Sequence, residues 1–227
     1  MNTYSKDIAT FDRTIPFKVI NLIFTGKFKL KALINGSNLE NIINKYCLNK
    51  KIIDISDIKN LIAIPAVDIN SGQIVYYSNK IITGRKYSDN DVYFNFGKVS
   101  NIVRSSCSFP GVFEPKFLND RYLVDGGVRV STPVNILKKL GVTKVIAINF
   151  IDNNDINNYN VLNVVKKSFD IMGFELKKSE LNNADLVLDI DISDVNLLDY
   201  NKVNFSANIG YEIAKKNMDK IKELYDN

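Results

Sequence analysis

Histidine is absent from all 227 residues. That absence removes Ser-His-Asp and Cys-His catalysis, and any His-ligated metal, from the chemistry these residues can run alone. Hydrolysis here would need another kind of base. Cysteine is scarce too: Cys47 and Cys107 are the only two, too few for a disulfide framework or a thiolate metal site. Both suit free, buried thiols in a reducing compartment. No P-loop and no G-x-G-x-x-G occurs, so nothing favours nucleotide binding. No aromatic-plus-basic patch points to nucleic acid. No apolar run reaches the length of a membrane span, and residues 1–10 are polar, with Lys6 and Asp7, unlike a signal peptide. The expectation is a soluble protein of cytoplasmic type.

What is present is ordinary globular material. Hydrophobic residues make up 45% and charged residues 24%, enough to bury a core, and the length fits one domain. Thirty Lys and Arg against 25 Asp and Glu leave a net charge of +5, spread along the chain. The densest basic run is K-F-K-L-K at residues 27–31, with a weaker pair at Lys50-Lys51. Such a surface favours anionic partners, membrane lipids included, although a run of this kind is ordinarily a solvated face.

Residues 1–60 read as a helical region. Residues 14–24 are apolar at helical spacing with Gly26 as a stop, and Ser37-Asn38-Leu39-Glu40 reads as a capping box opening a helix to about Tyr46. From residue 61 the pattern changes. L-I-A-I-P-A-V at 61–67 is a buried strand, residues 68–72 are turn chemistry, and Ile74-Val75-Tyr76-Tyr77 closes a hairpin. Residues 79–97 read as a loop. A helix follows at 99–108, rich in small residues and stopped by Phe109-Pro110-Gly111. Tyr122-Leu123-Val124 is a strand. Residues 133–140 form a helix with proline near its first turn and Gly141 past its end. The remaining elements are a strand at 144–150, an Asn/Asp-rich loop at 151–160, a helix at 161–182, a strand at 186–190 and a closing helix at 205–225. Strand–helix alternation in the second half argues for an α/β fold, a mostly parallel central sheet flanked by helices.

The residues that carry chemistry lie where Tyr122-Leu123-Val124 runs into Asp125-Gly126-Gly127. Functional groups of α/β folds gather at the carboxyl ends of strands. The glycine pair removes two side chains beside the Asp125 carboxylate and lets another backbone approach. On spacing alone, a tight turn with Asp125 bonding backbone N–H groups explains the motif better. The surroundings reverse that order. The run R-S-S-C-S-F-P-G-V-F-E-P at 104–115, Y-L-V-D-G-G-V at 122–128, Thr132-Pro133-Val134, and Leu140-Gly141 before the strand at 144–150 together resemble the C-terminal half of patatin-like phospholipases. A-V-D-I-N-S-G at 66–72 fits the same family's hairpin. The matches run in order from about residue 60 to about residue 150.

The resemblance implies a lipid acyl hydrolase, a phospholipase or esterase, working through a Ser–Asp dyad without metal or organic cofactor. Asp125 would be the proton acceptor and Asp125, Gly126 and Gly127 its motif, with Arg104 a supporting residue that is more often structural than catalytic. A dyad of this kind needs no histidine. It does need a serine in G-x-S-x-G on a sharp turn and a glycine-rich oxyanion loop, and neither occurs in this sequence. Ser37 is spoken for as a helix cap. Ser105, Ser106 and Ser108 lie on a helix rather than a sharp turn. The expectation is therefore one patatin-like domain over residues 1–227, truncated before its nucleophile elements, which supplies the aspartate and is inactive alone. An unpaired sheet edge would then favour self-association or a complementing N-terminal segment. Lipid or acyl-ester substrate, and transient contact with a membrane surface, follow from the resemblance. A second reading is a catalytically inactive fragment of the same fold. A third is an α/β interaction domain with Asp125 in a structural turn.

Overall fold

The computed structural model describes residues 32–80, 91–152, 159–195 and 200–226. The apolar helix expected at 14–24, the basic run at 27–31 and parts of the loops at 79–97 and 151–160 lie outside these. The described chain divides into two compact units, one ending at Gly126 and the other beginning at Gly127.

The first unit contains helix α1 (Ser37–Asn49), strands β1 (Ala63–Asp68), β2 (Ile74–Ser78) and β3 (Asp91–Phe94), helix α2 (Val99–Ser106), and strands β4 (Lys116–Leu118) and β5 (Arg121–Asp125). Its five strands form one sheet in the order β3-β2-β1-β5-β4. Ile55, Ala66, Val75, Tyr77, Val99, Ile102 and Leu123 make the core between this sheet and α2. The expected hairpin forms: Ala66 pairs with Val75 and Val67 with Ile74. Gly72 sits at φ 71, where a side chain would strain the turn.

The turn is tied from both sides. The Asp68 carboxylate accepts the Ser71 hydroxyl (2.7 Å) and the Asn70 N–H (3.2 Å). Arg121 on β5 donates to Asp68 Oδ2 at 2.9 Å and to Gln73 Oε1 at 3.0 Å. Burial alone would raise the Asp68 carboxyl pKa; the Ser71 hydroxyl, the Asn70 N–H and the Arg121 guanidinium outweigh it and hold the group below the ordinary carboxylate value. A depressed folded-state pKa stabilises the fold above the unfolded value and is lost as pH falls through the folded one. Asp68→Asn is therefore expected to cost about 1–3 kcal/mol at neutral pH. The gap to the parent should shrink as pH drops below the carboxylate range. Urea titrations of both proteins at several pH values check this, and a gap that persists in acid contradicts it.

The second unit contains α3 (Val134–Lys139), β6 (Ile146–Ile151), α4 (Val161–Leu181), β7 (Leu186–Asp191), α5 (Val203–Lys216) and α6 (Met218–Asp226). Strands β6 and β7 pair in parallel, Ile148 with Leu188 and Phe150 with Ile190. Val134, Val145 and Ala147 form a core that Leu137, Leu181 and Val187 extend. The Asn160 side chain caps α4 by accepting the Asn163 N–H at 2.9 Å. Along β6, Ile146, Ile148 and Phe150 are 40%, 52% and 55% exposed, so one face of this strand is an apolar stripe. No helix among the described residues is long and apolar enough to cross a membrane.

The α/β class holds, with a central sheet flanked by helices, but strand pairing is mixed rather than mostly parallel. In the first unit β1–β2, β1–β5 and β4–β5 are antiparallel and only β2–β3 is parallel. The reason is connection length. Five residues join β1 to β2, and Asn119-Asp120 alone join β4 to β5, both at positive φ; such short links can only make hairpins. The β6–α4–β7 crossover is long enough for parallel pairing. Two further differences are local. Ser37 does not cap α1: Gly36 takes the N-cap position in the left-handed region, and Asn35 Oδ1 accepts both the N–H and the hydroxyl of Ser37. Glu40, expected to close the box, pairs with Lys116 at 2.6 Å instead. The closing helix is two helices, because Asn217 leaves the helical region and its side-chain amide donates back to the Ile213 carbonyl.

Candidate functional site

Asp125 is the last residue of β5 and stands opposite Ala66 of β1. Alternation along a strand puts residues 121, 123 and 125 on one face. Leu123 on that face is fully buried in the core it shares with Ile102 of α2. Asp125 therefore faces the side that carries α2, beside that helix's C-terminal end. Two observations fix the position: the Asp125 N–H donates to the Ser108 carbonyl at 3.0 Å, and the Asp125 charge acts on Cys107, the residue that caps α2. Burial pushes the Cys107 thiol pKa up, the Asp125 carboxylate pushes it further, and Arg104 works against both. The carboxylate is half-buried.

The backbone approach that glycine permits occurs at Gly126. A Cβ built there would lie 2.7 Å from the Pro65 carbonyl oxygen and 2.9 Å from Pro65 Cγ. A β1 backbone atom thus occupies the space that a side chain after Asp125 would need. Gly127 opens the second unit.

Arg104 is 2% exposed, and the four hydrogen bonds described for it all end on neutral oxygens. Nε donates to the Gly36 carbonyl (3.1 Å), Nη1 to Ser108 Oγ (2.5 Å), and Nη2 to the carbonyls of Asn35 (2.7 Å) and Glu114 (2.8 Å). The guanidinium also lies 5.2 Å from the centre of the Phe113 ring, a cation–π distance. Burial lowers its pKa, while the charges of Glu40, Cys107 and Glu114 oppose that shift; an arginine stays protonated regardless. Arg104 thus joins the segment before α1, the end of α2 and the segment before β4. The sequence did not expose this clamp, though Asn35-Gly36 is a dipeptide that favours left-handed backbone, and Gly36 sits at φ 77.

Two of the three serines at the end of α2 are engaged. Ser105 and Ser108 are fully buried, and their hydroxyls donate to the carbonyls of Asn101 and Arg104, both at 2.9 Å. A hydroxyl folded back onto its own helix is not presented to a substrate. Among the described residues no cluster of three or more His, Cys, Asp or Glu is arranged to hold a metal ion. The arrangement offers a half-buried carboxylate at a strand end, held by its own backbone and beside bare backbone at Gly126. A carboxylate in that position is able to accept a hydrogen bond or a proton.

A family model described as patatin-like phospholipase matches residues 3–138, more than half of the chain and inclusive of Arg104, Ser108 and Asp125-Gly126-Gly127.

Proposed function

The chain belongs to the patatin-like phospholipase family, and from that premise we propose that it serves lipid acyl-ester hydrolysis with Asp125 as the proton acceptor of a Ser–Asp dyad. The observation that carries the reading is the position of Asp125: a half-buried carboxylate ending β5, followed by a glycine against which the β1 backbone closes. Burial weakens a carboxylate's preference for the charged form and makes it a better base. In the first step Asp125 takes the serine proton as the serine oxygen attacks the ester carbonyl carbon. The proton then goes to the departing alkoxide, leaving an acyl-enzyme. In the second step Asp125 takes a proton from water as the water oxygen attacks the acyl carbon, then gives it to the departing serine oxygen, which frees the fatty acid and restores the serine. In this reading Arg104 is a supporting residue and does not touch substrate; its hydrogen bonds to neutral oxygens of the chain support that.

These residues hold no G-x-S-x-G and the hydroxyls of Ser105 and Ser108 are committed, so the reading assigns the serine to a further segment. The chain by itself is accordingly expected to be inactive and to associate, with the exposed stripe of Ile146, Ile148 and Phe150 on β6 as the surface that seeks cover. Transient contact with a lipid surface belongs to the same proposal through its substrate.

An acyl-ester assay tests the reading. The chain alone should show no hydrolysis. Joined to a G-x-S-x-G segment of the same family, it should hydrolyse acyl esters. Asp125→Asn in that joined protein should then lower kcat by about a thousandfold or more. Full activity in the Asp125→Asn protein sinks the assignment.

A further inference from the structure

We propose that Arg104 is a positioning residue for Asp125, acting through Ser108. The proposal rests on the reading of Asp125 as the base, and adds what holds that base in place. The path is short and continuous. Arg104 Nη1 donates to Ser108 Oγ at 2.5 Å, and the same hydroxyl donates to the Arg104 carbonyl at 2.9 Å. Ser108 is thus held at its side chain by both ends of one arginine. The Ser108 carbonyl then accepts the N–H of Asp125 at 3.0 Å. Ser108 follows the C-cap of α2, where the chain leaves the helix and backbone groups lose their intrahelical partners. Without the guanidinium, this carbonyl would hang on a helix end free to fray.

The other three bonds of Arg104 anchor the clamp. The carbonyls of Asn35, Gly36 and Glu114 lie on segments before α1 and before β4, so the position of Ser108 is referred to three separate stretches of backbone. Gly36 is part of the device: a Cβ there would fall 1.9 Å from Arg104 Nε. Arg104 and Asp125 both act on the Cys107 thiol, in opposite senses because their charges are opposite, so both charges lie near that one residue. A lysine at 104 has a single nitrogen and could not serve four acceptors at once.

The main test needs no nucleophile and therefore separates this proposal from the hydrolase reading. Amide hydrogen exchange is measured on the whole chain, comparing Asp125 with Val75 in the middle of the sheet, in the parent, Ser108→Ala and Arg104→Lys proteins. Ser108→Ala removes only the hydroxyl and leaves three Arg104 bonds in place. Exchange at Asp125 should speed up by about tenfold relative to Val75, with a larger change in Arg104→Lys. In the joined protein Ser108→Ala should lower kcat with KM unchanged. Overturning results are an unchanged Asp125-to-Val75 ratio, or a ratio that stays fixed while both amides lose protection together. Either would make Arg104 a general clamp on the fold with no bearing on the base. If the ratio changes while Asp125→Asn retains activity in the joined protein, positioning stands and the role of Asp125 as base falls.

Discussion

Gly36→Ala is expected to cost the first unit about 4–6 kcal/mol, close to the whole stability of a marginal domain. Two effects add. The residue sits at φ 77, where a side chain costs about 1–2 kcal/mol. The larger effect is steric: the new Cβ would fall 1.9 Å from Arg104 Nε and 2.2 Å from Cζ. The guanidinium has no room to retreat, being 2% exposed and bonded to three carbonyls and a hydroxyl. Evicting it leaves those acceptors buried without donors and forces a charge to find water. Gly111→Ala is the control. Gly111 also has a left-handed backbone, at φ 83, but nothing lies within 4 Å of its Cβ position, so only the backbone cost of about 1–2 kcal/mol should appear. Urea unfolding midpoints of the two variants measure the difference. Equal losses would show that Arg104 is not fixed where the structure has it.

Gly126→Ala should give the second large effect, on both stability and catalysis. The backbone here is ordinary, so the cost is not conformational. The obstacle is the Pro65 carbonyl oxygen 2.7 Å from the new Cβ, and a β1 backbone atom cannot rotate away as a side chain can. Relief requires β5 to draw back from β1, breaking the pairing of Asp125 with Ala66. A loss of about 2–4 kcal/mol follows from strain of this kind in a packed interior. In the joined protein, kcat should fall about a hundredfold if β5 moves by about 1 Å, because that displaces the proposed base from its proton donor. Gly173→Ala offers a contrast of opposite sign. It lies inside α4 with nothing within 4 Å, and the change should stabilise by about 1 kcal/mol through helix propensity. A Gly126→Ala protein with the parent's kcat would show that the bare backbone beside Asp125 is unnecessary.

Much of this architecture was legible because its determinants are local. The 68–72 turn, the stop at Phe109-Pro110-Gly111 and the Pro133/Gly141 punctuation of α3 each declare themselves within a few residues, and the structure has them. The position of Asp125 at a strand end was equally readable, since Tyr122-Leu123-Val124 leads directly into it. What escaped depends on partners distant in sequence. Strand β3, Asp91-Val92-Tyr93-Phe94, has polar flanks and only half-buried residues. It is a strand because β2 offers its edge and Tyr76 and Tyr77 stack on Tyr93 and Phe94. Ser37 looked like a helix cap because its type and its spacing to Glu40 were right. Asn35, two residues earlier, accepts the Ser37 N–H and hydroxyl, the Glu40 N–H goes to the Gly36 carbonyl, and Lys116, 76 residues away, claims the Glu40 carboxylate. The Arg104 clamp joins residues as far apart as 69 positions, and no spacing rule carries that information.

The neutrality of the oxygens around Arg104 sets the two ends of the β1–β5 ladder apart in how they answer to solvent conditions. At the Asp68 end the fold is held by a carboxylate and a guanidinium, a contact that weakens when acid protonates one partner and, where it meets water, when salt screens the pair. At the Asp125 end, three carbonyls and a hydroxyl do not titrate in any range a protein survives, and bonds made out of reach of water are hardly screened. Ionic strength, and acid strong enough to fall below the ordinary carboxylate range, should therefore loosen the hairpin while leaving the bonds behind Asp125 in place. The end of the ladder that carries Asp125 is thus the one whose framework bonds answer least to salt and acid.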